Sequence, residues 1–436
     1  MKISKGQRLY GKAKRLIPGG NMLLSKRPEM FLPDLWPAYF SSASGARVRD
    51  LDGTEYIDMS IMGVGANVLG YAHPKVDEAV RNSIGNGNLT TLNAPEEVAL
   101  AEQLVDLHPW ADMARFARTG GEANAVAIRI ARAASGRDCV AICGYHGWHD
   151  WYLATNLPSG DGLDEHLLPG LDPAGVPQDL NGSTYPFRYN DFESLLALVT
   201  EHNIGVIKME VMRNHPPKNG FLKKVRNLAN DRGIVLIFDE CTSGFRQNYG
   251  GLHMQFGVAP DMAVFGKALG NGYAVTAVLG KREVIQAAQS TFISSTFWTE
   301  RIGSVAALAT LEVMENEAPW DGIVSAGQAI TVRWQEMAAQ YQLPMTTSGI
   351  PSLTGFTFNS PHNLAYKTLI TQQMLGKGFL ASNVVYLSTA HTPEMIDAYF
   401  EALEPSFELI QECEQGRDVL AELNGPVCHS GFSRLN

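Results

Sequence analysis

Two segments carry charges where apolar strands should end. VLIFDECTSGFR, residues 235–246, runs Val, Leu, Ile and Phe into two acids, Asp239 and Glu240. DMAVFGKALGNG, residues 261–272, places a lone Lys267 just after Val264 and Phe265. A carboxylate at the end of a buried strand costs several kcal/mol in desolvation unless a cation or strong donor meets it. A protonated heterocyclic nitrogen is one fitting partner for Asp239, and an arginine such as Arg246 is the plainer one. Lys267 is the mirror case: it either snorkels to solvent or is a buried nucleophile of depressed pKa. The two segments read as neighbouring strands holding opposite ends of one bound molecule.

Three further stretches suit the same molecule. In FARTGGEANAVAIRIARAAS, 116–135, Gly120 and Gly121 open a segment whose apolar positions recur at helical spacing. Glycines ahead of a helix let backbone N–H groups approach an anion such as a phosphate, although an ordinary turn and cap would look alike. In CGYHGWHDWY, 143–152, Tyr145 follows an apolar run and is placed to stack on a flat ring. His146 and His149 stand three apart with no third ligand in view, which reads as packing rather than metal binding. In FISSTFWTERIGSVAALATLEVM, Ser295 and Thr296 precede a helix with small residues, as phosphate ligands or merely as caps. Each signal is weak alone. Together, in this order, they meet the needs of pyridoxal 5′-phosphate (PLP): a Schiff-base lysine, an acid at the ring nitrogen, a stacking group and a phosphate cup.

The elements that must position these residues are legible. From about residue 115, short continuous apolar runs at 138–143, 204–211, 233–240, 261–268 and 274–280 alternate with helical patterns. Such runs predict strands buried on both faces of a parallel or mostly parallel α/β sheet, which binds ligands beyond its carboxyl ends. Residues 45–60 predict a hairpin turning at Asp52-Gly53. Residues 155–190, rich in Gly, Pro, Asp and Asn, predict a long loop or lid. The expected organisation is a large domain over 63–317, with 1–62 and 318–436 joining as a smaller one.

Bulk properties narrow the class. The 436 residues are 45% hydrophobic and 18% charged, enough for a sizeable core. A net charge of −10 argues against nucleic acid or an anionic membrane as the main partner. The five cysteines form no CxxC pair, so reduced thiols and a cytoplasmic location are expected. The start, MKISKGQRLYGKAKRLIPGG, has no apolar core of secretory type, and no apolar run approaches membrane-spanning length. No G-x-G-x-x-G follows a first strand, which disfavours a dinucleotide enzyme.

Ordered motifs through most of the chain resemble the class III PLP-dependent aminotransferases, most of all their glutamate-1-semialdehyde 2,1-aminomutase branch. They include LIPGG (16–20), DLDGTEYIDM (50–59), LGYAHPKV (69–76), TGGEANAVAIRIARAASGRD (119–138), YHGWHD (145–150), IFDECTSGFR (237–246), PDMAVFGKALGNG (260–272) and LSTAHT (387–392). The resemblance implies PLP transferase fold type I, with a mostly parallel central sheet in the large domain and a smaller α+β domain from both termini. It implies that Lys267 carries the cofactor and moves protons, that Asp239 keeps the ring nitrogen protonated, and that Tyr145 stacks on the ring. Gly120 and Gly121 would bind the phosphate together with Thr296 of a neighbouring subunit, hence a homodimer with shared active sites. Glu210 matches a family acid near the cofactor.

The departures cluster on the substrate side. The branch carries a V-N-S-P-V-R type stretch after PGG, where this chain reads NMLLSKRP, leaving Lys26 or Arg27 to meet a substrate carboxylate. Met62 replaces a tryptophan, NVVYLS (383–388) lacks an acid, and Glu300-Arg301 stands for N-P. These changes favour transfer from an amino-acid donor such as glutamate to an aldehyde or ketone, with an oxidised sugar as one class the altered pocket would admit. The alternatives are the aminomutase itself and, more remotely, a non-catalytic PLP-fold protein or nucleotide-binding module.

Overall fold

The computed structural model describes residues 3–166 and 169–431. Two compact units are present, Met1–His73 with Gly322–Asn436, and Pro74–Asp321. The breaks fall later than 62/63 and 317/318. Residues beyond Met62 stay with the smaller unit because Tyr71 exchanges two backbone hydrogen bonds with Gly45 and donates its hydroxyl to Asp58 at 2.6 Å.

The smaller unit begins with the helix Lys5–Leu16, opened by a Ser4/Gln7 capping box. Strands β1 (Phe40–Ser44), β2 (Arg47–Asp50) and β3 (Glu55–Met59) follow. The turn between β2 and β3 is fixed by Asp50, whose carboxylate accepts the N–H groups of Asp52 and Thr54. Gly53 there takes a φ of +91°, open to glycine at no steric cost.

The larger unit contributes β4 (Met113–Ala117), β5 (Cys139–Cys143), β6 (Thr184–Pro186), β7 (Ile204–Glu210), β8 (Val235–Glu240), β9 (Met262–Phe265) and β10 (Thr276–Gly280). Their spatial order is β4-β10-β9-β8-β7-β5-β6. Strands β5 to β9 pair in parallel and β10 runs antiparallel to both neighbours. Every residue of β7 and β8 is buried, the state that continuous apolar runs anticipate. The helix Gly120–Ser135 covers one face, setting Ala123, Ala127, Ile130 and Ala131 against Ile142, Val206, Ile237 and Val264. Each large aliphatic side chain buried there contributes about 1.5–3 kcal/mol. The helix stops at Gly136, in the left-handed region at φ +65°.

The chain then returns to the smaller unit with β11 (Met345–Ile350), β12 (Leu353–Phe358), β13 (Phe379–Ala381) and β14 (Val384–Tyr386). These complete a four-stranded sheet β1-β2-β3-β13 and a three-stranded sheet β11-β12-β14. The fold is α/β with a mostly parallel central sheet, the type I architecture of PLP-dependent transferases.

The segment expected as one long loop, 155–190, carries structure of its own. Short 3-10 turns form at Ala154–Asn156 and Gln178–Leu180, and β6 adds a strand beside β5. Thr184–Pro186 has no alternation to betray a strand, since what it supplies is backbone for the sheet edge. The Asn156 side chain ties the excursion together, accepting from Leu163 and donating to Leu171. Leu167 and Leu168 lie outside the described residues.

Candidate active site

Register decides which charges share a face. Side chains alternate along a strand, and parallel neighbours keep them in rows. One row runs Ile142, Lys208, Ile237, Met262; beyond it Glu210 pairs with Asp239, and Asp239 with Val264. Asp239 therefore points to the face covered by Gly120–Ser135. Glu240 points the opposite way, where it accepts the backbone N–H groups of Leu252 and His253, the Ser243 hydroxyl and the His253 ring. Of the two acids that end β8, one faces the site and the other braces the turn behind the sheet.

Asp239 is buried and ionised. His146 Nδ1 lies 2.9 Å from Oδ2, the Cys241 N–H donates to Oδ1 at 3.0 Å, and Lys208 Nζ lies 3.9 Å from Oδ2. Burial alone would raise its pKa. The Lys208 charge, followed by the His146 hydrogen bond and charge and the Cys241 N–H, outweighs burial and holds the carboxyl well below the usual range. Arg246 is not its partner; the arginine Nε donates to the Thr242 carbonyl at 2.6 Å. His146, expected as a packing residue, is fully buried but works as the support of Asp239, its Nε2 lying 3.2 Å from the Cys143 carbonyl.

Lys267 follows β9 at a φ of +45°, an uncommon conformation for a residue with a side chain and one that recurs at functional sites. Its Nζ donates to the Thr242 hydroxyl at 2.7 Å. Burial, with the Arg213 charge next and Arg246 adding, lowers its pKa to about 8. A half-buried amine of that kind is neutral and nucleophilic in about one molecule in ten at pH 7.

The phosphate-type glycines sit beside both. Thr119 and Glu122 form a capping box at the start of Gly120–Ser135, in which Glu122 accepts the Thr119 N–H and Thr119 the Glu122 N–H. The first N–H groups of a helix have no partner within it, so those of Gly120 and Gly121 remain turned out of the helix start. A Cβ on Gly120 would lie 3.5 Å from Cys241 Sγ, and one on Gly266 3.4 Å from the same sulfur. A Cβ on Gly147, at φ +101°, would lie 2.9 Å from Gly121 Cα. The turn after Tyr145 thus meets the helix start, and the Cys241 sulfur lies beside both that start and the Lys267 loop. Tyr145 packs edge-on to Tyr152, ring centroids 6.0 Å apart. Its backbone N–H donates to Glu210 Oε2 at 3.1 Å, while Glu210 Oε1 pairs with Arg213 at 2.7 Å.

The chemistry of this set fits PLP. A depressed-pKa amine, a buried carboxylate, an aromatic beside the helix start and two outward glycine N–H groups lie in one unit of the fold.

Residues 34–404 match the family model for aminotransferase class-III. The chain belongs to the class III aminotransferases. It is 34% identical over 431 residues to the 3-aminobutyryl-CoA aminotransferase of Cloacimonas acidaminovorans (strain Evry), covering 94% of this chain and 99% of that protein. It is 31% identical over 425 residues to the glutamate-1-semialdehyde 2,1-aminomutase of Methanococcoides burtonii, covering 92% and 98%. The fold superposes on the FumI protein of Sphingopyxis sp. MTA144, solved in its PLP internal aldimine form, with a TM-score of 0.85 at 24% identity, over 96% and 99% of the two chains. Class III aminotransferases are PLP-dependent, and the residues gathered here fit that cofactor.

Of the other residues expected at the site, one lies in the larger unit and three in the smaller. Thr296 begins a 3-10 turn, Thr296–Thr299, and is exposed. Lys26 ends a 3-10 turn and is exposed; Arg27 lies over Gly19, and Met62 is buried at φ +40°, all three in the smaller unit. Conversely, Thr242, His146, Lys208 and Arg213 were not expected as members. Lys208 had a signal, being the one cation inside the apolar run IGVIKMEV.

Proposed function

We propose that this enzyme is an aminotransferase that takes an amino group from an amino-acid donor, glutamate foremost, and delivers it to a separate aldehyde or ketone. The observation that carries the reading is the division of labour along the chain. Cofactor-type groups gather intact around Asp239 and Lys267, whereas the departures at 21–28, 62 and 383–388 fall on the substrate side. The 34% likeness to a 3-aminobutyryl-CoA aminotransferase supports it. A hydroxylated, sugar-like acceptor suits the loss of a tryptophan at Met62 and of the acid near 383–388.

PLP, when bound, supplies the sink for the electrons left as a substrate Cα–H bond breaks. In this reading Lys267 is the amine to which the cofactor attaches, and in its neutral form it accepts the Cα proton and returns it. Asp239 would hold a proton on the ring nitrogen, Tyr145 would stack on the ring, and the Gly120 and Gly121 N–H groups would bind the phosphate. Glu210 braces the Tyr145 backbone and holds Arg213. Lys26 or Arg27 is the cation assigned to the substrate carboxylate. A homodimer belongs to the reading, with Thr296 serving the phosphate of a second subunit; its exposure beside Phe292 and Phe297, 83% and 68% exposed, supports a covering partner. A cytoplasmic location is supported by five free thiols, and no helix among the described residues is long and apolar enough to cross a membrane.

The aminomutase is the second reading, favoured by several aminomutase relatives at 29–32% identity. Incubating the holoenzyme with glutamate and no acceptor separates the two. The transferase releases one keto acid per active site and then aminates an added carbonyl compound. An enzyme inert to glutamate that isomerises glutamate-1-semialdehyde would overturn the proposal.

A further inference from the structure

Lys208 is the least explained charge in the larger unit. It stands mid-strand in β7, is fully buried, and its Nζ makes no hydrogen bond. Its row neighbours are Ile142 and Ile237, and the helix Gly120–Ser135 lays alanines over that face. A buried ammonium costs several kcal/mol unless compensated. The compensation at hand is Asp239 Oδ2 at 3.9 Å, one row nearer the carboxyl ends of the strands. An apolar side chain would fill the same space without that cost, so the charge calls for a reason.

We propose that Lys208 is a positioning residue for the PLP site: its ammonium, lodged behind Asp239, sets how much negative charge that carboxylate presents to the ring nitrogen. The inference rests on the reading of Asp239 as the ring-nitrogen partner. His146 and Lys208 both face Oδ2, whereas Oδ1 faces the Cys241 N–H. Lys208 therefore offsets the carboxylate from the side away from the Lys267 loop and weakens its hold on a ring proton. The titratable groups bearing on Lys208 are Asp239, Cys241 and Glu210, together with His146 across Asp239. Burial lowers the pKa of Lys208, and the first three groups oppose that.

The test uses holoenzyme and its visible absorption band, titrated with pH. Lys208→Met and Lys208→Gln both remove the charge, one of them keeping a polar head. Each should raise the midpoint of the spectral transition by about 0.5–1 unit, because an uncompensated carboxylate favours the protonated chromophore. In an Asp239→Asn background, Lys208→Met should no longer move it. An unmoved midpoint, or a shift that persists without Asp239, overturns the role of Lys208. A wild-type protein with no borohydride-sensitive band would instead overturn the cofactor reading beneath it. Should neither variant accumulate folded, lysine 15Nζ NMR of the wild type and Asp239→Asn decides: the Lys208 midpoint must fall when Asp239 loses its charge, and an unchanged midpoint refutes the coupling.

Discussion

Asp239→Asn offers the sharpest check on the electrostatics of this site, because the cost can be worked from two directions. Two unit charges 3.9 Å apart attract by about 4 kcal/mol at an effective dielectric constant near 20. The substitution keeps the side chain's shape and an acceptor for the Cys241 N–H but removes the charge. Lys208 must then either remain a buried cation or give up its proton. From its ordinary value of 10.5, giving up the proton at pH 7 costs about 5 kcal/mol, which caps the penalty. At pH 9 the same cap falls to about 2 kcal/mol.

The pH dependence carries the discriminating sign. In Asp239→Asn the folded-state pKa of Lys208 drops further below its unfolded value, so the unfolded chain binds more protons throughout that window. Stability of the variant must therefore rise with pH relative to wild type, by up to about 1.4 kcal/mol per unit. Urea denaturation of the apo-proteins, where cofactor binding adds nothing, should give a loss of about 3–5 kcal/mol at pH 7 that shrinks toward about 2 at pH 9. Adding Lys208→Met should restore much of the loss at pH 7, since an apolar replacement of a whole buried pair is often neutral. A loss below about 1 kcal/mol at pH 7, or one equal at both pH values, would refute the reasoning that the two groups are a charged pair.

Other expectations follow from the same geometry. Lys267→Ala should fold with unchanged far-ultraviolet circular dichroism yet form no borohydride-fixable visible band; a band that survives would remove Lys267 from its role. The rate at which apo-protein captures PLP should climb as pH passes about 8, where the Lys267 amine loses its proton, and Arg213→Met should push that midpoint upward by withdrawing a neighbouring cation. A midpoint that Arg213→Met leaves in place would contradict the assigned cause. Gly147→Ala puts a Cβ 2.9 Å from Gly121 Cα at a φ of +101°, a strain of order 1–3 kcal/mol, so PLP affinity measured by equilibrium dialysis should fall about tenfold or more. An unchanged affinity would mean that the Tyr145 turn does not shape the phosphate end.

How far the sequence alone could reach is clearest at β7 and β8. Their continuous apolar runs reveal strands buried on both faces, because burial there depends on composition rather than on distant partners. Alternation then implies that Asp239 and Glu240 face opposite ways, but not which of them meets the ligand; that follows from where Gly120–Ser135 packs. The support of Asp239 was not legible either. Arg246 lies close by in sequence, whereas His146 and Lys208 arrive from the turn after β5 and from β7, and a parallel register between strands is written in no local pattern. β6 escaped notice for a related reason, since three residues contributing backbone to an edge need no periodicity. Lys208 was different in kind. A cation in the middle of IGVIKMEV contradicts its surroundings, and two-residue periodicity alone puts it on the same face as Glu210. A charge that breaks an otherwise consistent strand calls for a counter-charge nearby, and here that counter-charge is Asp239, the acid the proposed reading sets against the ring nitrogen.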